Sequence, residues 1–292
     1  AFSRVLIRGP EPGAPRVEPN TVAQSRSMVE QSQGRLFVLF LDVNHVDWAD
    51  SRFAARPLVD FLNRVIGADD LVGVMTPEMS GADVTFARRM ESIEGILARY
   101  GWGERNNAIP ADPMLRVYQE CYPGFDRRAG ARFDDRGIAD EMMKRYKERE
   151  TLNALDSLVR SLPQAREGRK AVLTISNGWL LYRPDASLAR PLGNQDGVPG
   201  VAGVDPNGKL VVGGQRGVSA MDDCERDRQR LAQIDDFLAL RDITDLANRG
   251  NVSFYPVDPR GLAVFDTDIG APRTGEPPRG TPILPPPAVD QA

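Results

Sequence analysis

The sequence predicts an open, doubly wound α/β fold, in which a mostly parallel sheet carries helices on both faces, with insertions and extended ends. Four segments are apolar almost throughout, which is typical of strands buried on both faces of a parallel sheet; they are residues 35–42, 70–76, 170–176 and 251–257. Between them lie segments whose apolar residues recur at helical spacing. Such an alternation of strands and helices is typical of a sheet wound with right-handed crossovers.

The first half of the chain supplies two of these strands and their connections. Residues 1–34 contain Gly-Pro and Pro-Gly steps and a Ser/Gln-rich stretch, which predict an extended leader with one strand at residues 3–7. Residues 52–67 have helical spacing and end on a glycine, so we expect a crossover helix there. Residues 83–89 predict a polar edge strand. Two shorter helices are expected at residues 90–100 and 113–121.

The second half begins with a long helix predicted to run from Ile138 to Pro163. Its apolar stripe is interrupted at residues 147–150, so we expect that turn to face solvent or to bend. Residues 185–219 hold eight glycines and predict an excursion with a small hairpin. A further helix is expected to begin at Asp222 or Asp223 and to end at Gly250.

These segments predict three parts along the chain. We expect an extended leader, an α/β domain that includes the Gly-rich excursion, and a Pro-rich tail that is extended or disordered; they occupy residues 1–34, 35–265 and 266–292.

Composition excludes several classes of function. The formal charge is −4 and no basic block is present, so we expect no nucleic-acid partner. The longest apolar run is far shorter than the ~20 residues that span a bilayer, so we expect no membrane-spanning segment. His45 is the only histidine, which excludes sites that need two imidazoles, zinc sites of the HExxH type among them.

The candidate site follows from the predicted fold. Ligands of doubly wound sheets bind at the carboxyl ends of the strands, where the strand order reverses. The residues at these positions are Asp42–Asp47, Thr76–Glu78, Ser176–Gly178 and Asp258.

Three segments resemble the von Willebrand factor A family, and more closely its bacterial branch of von Willebrand A-related proteins. They are residues 37–42, 170–178 and 251–262, so the resemblance spans roughly residues 35–262. It implies the same doubly wound, Rossmann-like fold. In that family a further helix and strand follow the last segment, and because we find neither before Ala292, we expect that the chain is truncated or ends early.

The resemblance also implies the position of a Mg²⁺ site. The family pattern is Asp-x-Ser-x-Ser after the first strand, followed by a later Thr and a distal Asp. In this sequence Asp42 matches the first Asp, and Asn44 and Val46 replace the two serines. Thr151 is the candidate for the Thr, and Asn177 stands in place of the distal Asp. One carboxylate, with a valine in place of a serine hydroxyl, supplies too few oxygen ligands for Mg²⁺. We therefore expect a degenerate site and no cofactor, with Asp42 capping the turn that follows it.

A rival interpretation is enzymatic. The run Asp42-Val-Asn-His-Val46 and the later residues 174–178 are similar to haloacid-dehalogenase-like phosphotransferases, which implies Asp42 as the nucleophile. Asn44 stands where that family has its acid/base Asp, and an amide cannot transfer the proton.

Other side chains are candidates for an interaction surface. His45 and Asp47 lie in the loop after the first buried strand, and Trp179 and Tyr182 follow the third. Aromatic residues anchor many interfaces. The alternatives are that His45 is a hydrogen-bonded structural residue and that Trp179 and Tyr182 cover the end of the sheet beneath the Gly-rich excursion.

Cys121 and Cys224 are the only cysteines, and both fall in helices predicted outside the central sheet. They form either a clamp between insertions or two free thiols. Because the family is usually exported, we expect the disulfide, which favours a periplasmic or extracellular location.

The expected function is a non-enzymatic protein–protein interaction or scaffold module of von Willebrand A type. Its partners are expected to be other protein subunits of an exported assembly.

Overall fold

The structure is a computed structural model. The residues it describes are 19, 21–32, 34–67, 69–88, 95, 97, 102–105, 110–122, 137–190, 202–204, 210–212 and 215–260. Of residues 202–204, 210–212 and 215–222, only the backbone is described. The chain divides into two units, residues 1–260 and 261–292, and the second lies outside the described residues. The predicted tail, the strand at residues 3–7 and most of the helix at residues 90–100 therefore lie outside them too.

A five-stranded, mostly parallel sheet forms the centre of the fold, which confirms the predicted α/β class. The strands are β1 (Leu36–Leu41), β2 (Leu71–Met75), β3 (Phe86–Ala87), β4 (Lys170–Ile175) and β7 (Val252–Val257), and a separate antiparallel hairpin pairs β5 (Ala202–Val204) with β6 (Leu210–Val212). The order in the sheet is β3-β2-β1-β4-β7, with β3 alone antiparallel. The strand order therefore reverses between β1 and β4.

Helices cover both faces of the sheet. They are α1 (Val22–Gln31), α2 (Trp48–Val65), α3 (Pro113–Cys121), α4 (Ile138–Ala165), α5 (Gln215–Ala232) and α6 (Asp236–Arg249). Leu36, Val38 and Phe40 face a core built with α1, α4 and α6, whereas Phe37 and Leu39 face a core built with α2. The alternation along β1 explains why its sequence is apolar throughout. No helix in the described ranges is long and apolar enough to cross a membrane.

A third, smaller core joins α3, the first half of α4 and α5. Tyr118, Met142 and Cys224 are buried in it. Cys224 forms a disulfide with Cys121 at a Cα–Cα distance of 6.5 Å, so the predicted pairing is confirmed. The bridge fixes α3 to α5 beside the sheet.

The interpretation of residues 1–34 as an extended leader is wrong for residues 22–31, which form α1. Thr21 caps this helix by accepting a hydrogen bond from the backbone N–H of Gln24 at 3.2 Å. Val29 enters the core, and the Ser25 hydroxyl both donates to the carbonyl and accepts from the N–H of Phe86. Ser25 thereby binds both backbone groups of Phe86. The edge strand predicted at residues 83–89 is reduced to Phe86–Ala87, and Gly81–Asp83 form a 3₁₀ helix before it.

Two expectations about the helices of the second half also need correction. The turn at residues 147–150 neither faces solvent nor bends away, because Glu148 is fully buried beneath the loop that follows β4. The helix predicted from residue 222 to 250 is two helices, α5 and α6, and Asp235 caps the second by accepting from the N–H of Leu238 at 3.1 Å. Furthermore, α4 continues past Pro163 to Ala165.

Candidate functional site

The carboxyl ends of β1 and β4 meet where the strand order reverses, as the predicted fold requires. Asp42 follows β1 directly, and its backbone N–H donates to the carbonyl of Ile175 at 3.0 Å. The Asp42 residue is completely buried. A carboxylate in this position is stable only when its oxygens are hydrogen-bonded.

Four side chains donate to the Asp42 carboxylate, from the loop after β1, from α4 and from the loop after β4. The Thr151 hydroxyl of α4 lies 3.1 Å from Oδ1, and the Ser176 hydroxyl after β4 lies 2.7 Å from Oδ2. The Trp179 indole N–H donates to Oδ2 at 2.8 Å, and His45 Nδ1 lies 3.0 Å from both oxygens. The carboxylate is therefore saturated by groups of its own chain.

His45 lies between two buried carboxylates. Its Nδ1 contacts Asp42, and its Nε2 lies 3.3 Å from Oε2 of Glu148. Because ionised carboxylates only accept hydrogen bonds, both ring nitrogens donate when His45 is an imidazolium. Burial acts to lower the pKa of His45, but the hydrogen bonds and charges of Asp42 and Glu148 outweigh it and raise the pKa to about 9.

The loop after β4 is held down by two further buried carboxylates. Glu148 accepts from the backbone N–H of Leu180 at 3.0 Å, and Asp236 accepts from that of Tyr182 at 2.9 Å. Leu181 between them has φ +46, in the left-handed region. Burial, followed by the charge of Glu148, raises the pKa of Asp236.

Buried arginines fix the rest of this loop. Arg145 of α4 donates to the carbonyl of Arg183 at 3.0 Å and lies over the Tyr182 ring at 4.6 Å. Arg228 of α5 is almost fully buried and donates to the carbonyl of Arg190 at 2.9 Å. The 15 residues from 176 to 190 therefore have a fixed path although they form no helix or strand.

The candidate metal ligands are only partly brought together. Asn44 donates to Oε2 of Glu150 at 3.0 Å and to the Thr151 hydroxyl at 3.3 Å, so it lies beside the Asp42 cluster. Asn177 instead donates to Oδ2 of Asp50 on α2 at 3.1 Å. It therefore does not take the place of a distal carboxylate ligand.

The residues around Asp42 do not fit a Mg²⁺ ion. Mg²⁺ needs oxygen ligands in near-octahedral arrangement, whereas His45 and Trp179 direct N–H donors at the carboxylate. Val46 is buried and offers no oxygen where the family pattern has a serine. In the described part of the chain, no group of three or more His, Cys, Asp or Glu side chains is arranged to hold a metal.

No protein-family model, curated protein or solved structure matches this chain. The likeness to von Willebrand A domains accordingly rests on the three segments quoted above. The geometry of the site has to carry any statement about function.

The predicted interaction residues occupy different environments. Asp47 is exposed at the N-cap position of α2, with no hydrogen bond from its side chain to the helix end. Trp179 and Tyr182 are half-buried: Trp179 packs against the main core and the Tyr182 ring lies against Arg145. The His45 side chain is only 14% exposed. The exposed apolar side chain of this loop is Leu180, at 67%.

Sequence reasoning missed Glu148 and Asp236. Glu148 lies four residues before Leu152 on the buried stripe of α4, so a carboxylate at a core position was the available signal. No comparable signal was available for Asp236, which lies in the first turn of α6. Acidic residues are common there because they interact favourably with the helix dipole.

Proposed function

We propose that this chain is a non-enzymatic protein-interaction module of von Willebrand A type, which binds another protein through the surface around the loop after β4. The observation that carries the proposal is a set of exposed apolar side chains on this fixed loop and on the first turn of α6. This surface, named the Leu180 surface below, consists of Leu180, Phe237 and Leu238, which are 67%, 45% and 58% exposed.

The loop that carries Leu180 contacts the start of α6, which carries Phe237 and Leu238. The backbone of Tyr182, two residues after Leu180, accepts from the N–H of Asp236 at 2.8 Å. The guanidinium of Arg183 lies over the Phe237 ring at 4.6 Å. Clustered apolar surface of this kind often marks a binding site, and a fixed loop loses little conformational entropy on binding.

The closed environment of Asp42 supports a non-catalytic role. A nucleophile for phosphoryl transfer needs a carboxylate oxygen that substrate can reach, yet Asp42 is fully buried and accepts from His45, Thr151, Ser176 and Trp179. The same donors occupy the positions that Mg²⁺ would need. We therefore place partner binding on the surface above this cluster rather than on Asp42 itself.

The disulfide supports an exported location for the module. Disulfides form and persist in the periplasm and outside the cell, and they are rare in reducing compartments. We propose that the Cys121–Cys224 bridge reflects such a compartment and that the partners are protein subunits of an assembly there.

The test replaces Leu180 by Asp and, separately, Leu238 by Asp. A matched control is Phe53→Asp, because Phe53 is 76% exposed on α2 and lies outside the Leu180 surface. The full chain carrying a photo-crosslinker at residue 183 is expressed in its native cells, and the crosslinked protein is identified and purified. Direct titration with that partner then compares the variants.

We expect both Asp variants at the Leu180 surface to weaken binding about tenfold or more, since a charge is placed in an apolar contact. The Phe53 variant is expected to bind as the parent chain does. Equal binding by all of them, with unchanged melting temperatures, would contradict the proposed surface.

A further inference from the structure

A long groove runs beside α4, separate from the Leu180 surface. It consists of two cavities of about 710 and 600 Å³ that share Glu78 and Glu150 in their walls. Along α4 the lining extends from Asp140 to Ser157. At 1.5 Å per residue, this stretch of helix is about 26 Å long.

The opposite walls come from both the sheet and the smaller core. The loops after β1 and β2 contribute Asn44 and Thr76 on one side. Leu115 of α3 and Arg230 of α5 contribute on the other side. Residues 102–105 and 110–112 also line the larger cavity. The disulfide joins α3 to α5, and both helices contribute to the lining.

Two acidic side chains, Glu78 and Glu150, line the part of the groove that the two cavities share. Glu78 is exposed there, and the half-buried Glu150 accepts a hydrogen bond from the neutral amide of Asn44. Of the cations that line the cavities, Lys147 pairs with Glu104 at 2.5 Å and Arg230 pairs with Asp227 at 2.9 Å. Arg105, Lys144 and Arg149 line them as well. Burial and the charges of Asp112 and Glu78 raise the pKa of Glu150, whereas its hydrogen bond from Asn44 and the charge of Lys147 lower it.

We propose that this groove binds an extended segment of a partner protein and receives one of its lysine or arginine side chains between Glu78 and Glu150. About eight extended residues span 26 Å, which matches the length of the lining. A cationic side chain complements the central carboxylates, and Lys144 and Arg149 favour acidic residues on either side of it. This second site rests on the proposed function, a module that binds proteins, and does not use the Leu180 surface.

The probe is a random octapeptide library selected on the purified full chain. We expect the selected peptides to share a lysine or arginine at one position, and replacement of that residue by norleucine to weaken binding. Glu78→Gln is expected to weaken the best peptide about three- to fivefold, the effect of losing one partly exposed ion pair. Glu120→Gln is the matched control, because Glu120 is exposed on α3 and does not line the groove.

Three outcomes would overturn the proposal: no selected peptide, no enrichment of basic residues, or equal binding by the Glu78 and Glu120 variants. Binding of spermidine as tight as that of the peptide would also overturn it, because the site would then take a free polyamine. Leu180→Asp is titrated with the same peptide and is expected to bind it normally. Failure at the groove is therefore distinguishable from failure of the Leu180 surface.

Discussion

His45 supplies a positive charge at the centre of a buried acidic cluster. Its ring nitrogens contact Asp42 and Glu148, both of which are fully buried. Removing one partner from such a cluster leaves a buried charge unpaired. The resulting loss of stability exceeds the net stabilisation that the ion pair provides. The imidazolium therefore stabilises the closed form of the site.

This arrangement predicts a dependence of stability on pH. The pKa of His45 rises from 6.5 to about 9 on folding, so its contribution is full below pH 6.5 and is lost as the pH rises through about 9. A shift of this size corresponds to roughly 3 kcal/mol. Urea unfolding of the full chain at several pH values between 6 and 10 measures the change in the free energy of unfolding.

His45→Gln serves as the comparison for this titration. Glutamine is neutral over the whole range, so we expect the variant to lose the decline in unfolding free energy between pH 6.5 and 9. The same slope in both proteins would show that His45 is not the group responsible.

At the level of residues, the sequence predicted part of the cluster. Asp42, Asn44 and Thr151 were linked by the family pattern, and the structure places them together. The contact of His45 with Glu148 could not be predicted, because it depends on how α4 lies against the end of the sheet, about 100 residues further along the chain.

The disulfide acts at the level of elements by joining α3 to α5. These helices are 103 residues apart at the bridged positions, and both form walls of the groove beside α4. In the chain-entropy model, closing a loop of this length raises the free energy of unfolding by about 4–5 kcal/mol, because the bridge restricts the unfolded chain.

Reduction is accordingly predicted to lower the free energy of unfolding by about 4–5 kcal/mol. The control is the Cys121→Ser, Cys224→Ser double variant, whose stability should not respond to reductant. Mass measurement after alkylation of the denatured, unreduced chain should show no added groups. Two added groups would show that the thiols are free.

The four parallel strands were predictable to within about one residue, because each is a continuous apolar run flanked by polar residues. The polar edge strand was not, since only Phe86–Ala87 of the predicted residues 83–89 form β3. Helix ends were less so, since they depend on caps and on tertiary contacts. The helix α1 was missed because its sequence is mostly polar and only Ser25 and Val29 are buried. The break between α5 and α6 depends on the Asp235 cap.

At the scale of the whole molecule, the fold class follows from the alternation of apolar strands with amphipathic segments, and it places Asp42 and Ser176 at the reversal of strand order. The path of residues 176–190 does not follow from local sequence. It depends on Arg145 and Arg228, which reach this loop from two helices distant in sequence. The same fixed loop both closes the Asp42 site and presents Leu180.

The most direct test of this account is whether the Asp42 site takes a metal ion. Titration of the purified full chain with Mn²⁺, followed by the loss of the free-ion EPR signal, measures binding, and melting temperatures with Mg²⁺ or EDTA accompany it. The closed donor set predicts no stoichiometric binding and no resolvable thermal shift. Binding of one ion per chain that is lost in Asp42→Asn, with a stabilisation of about 4 °C or more, would contradict the account.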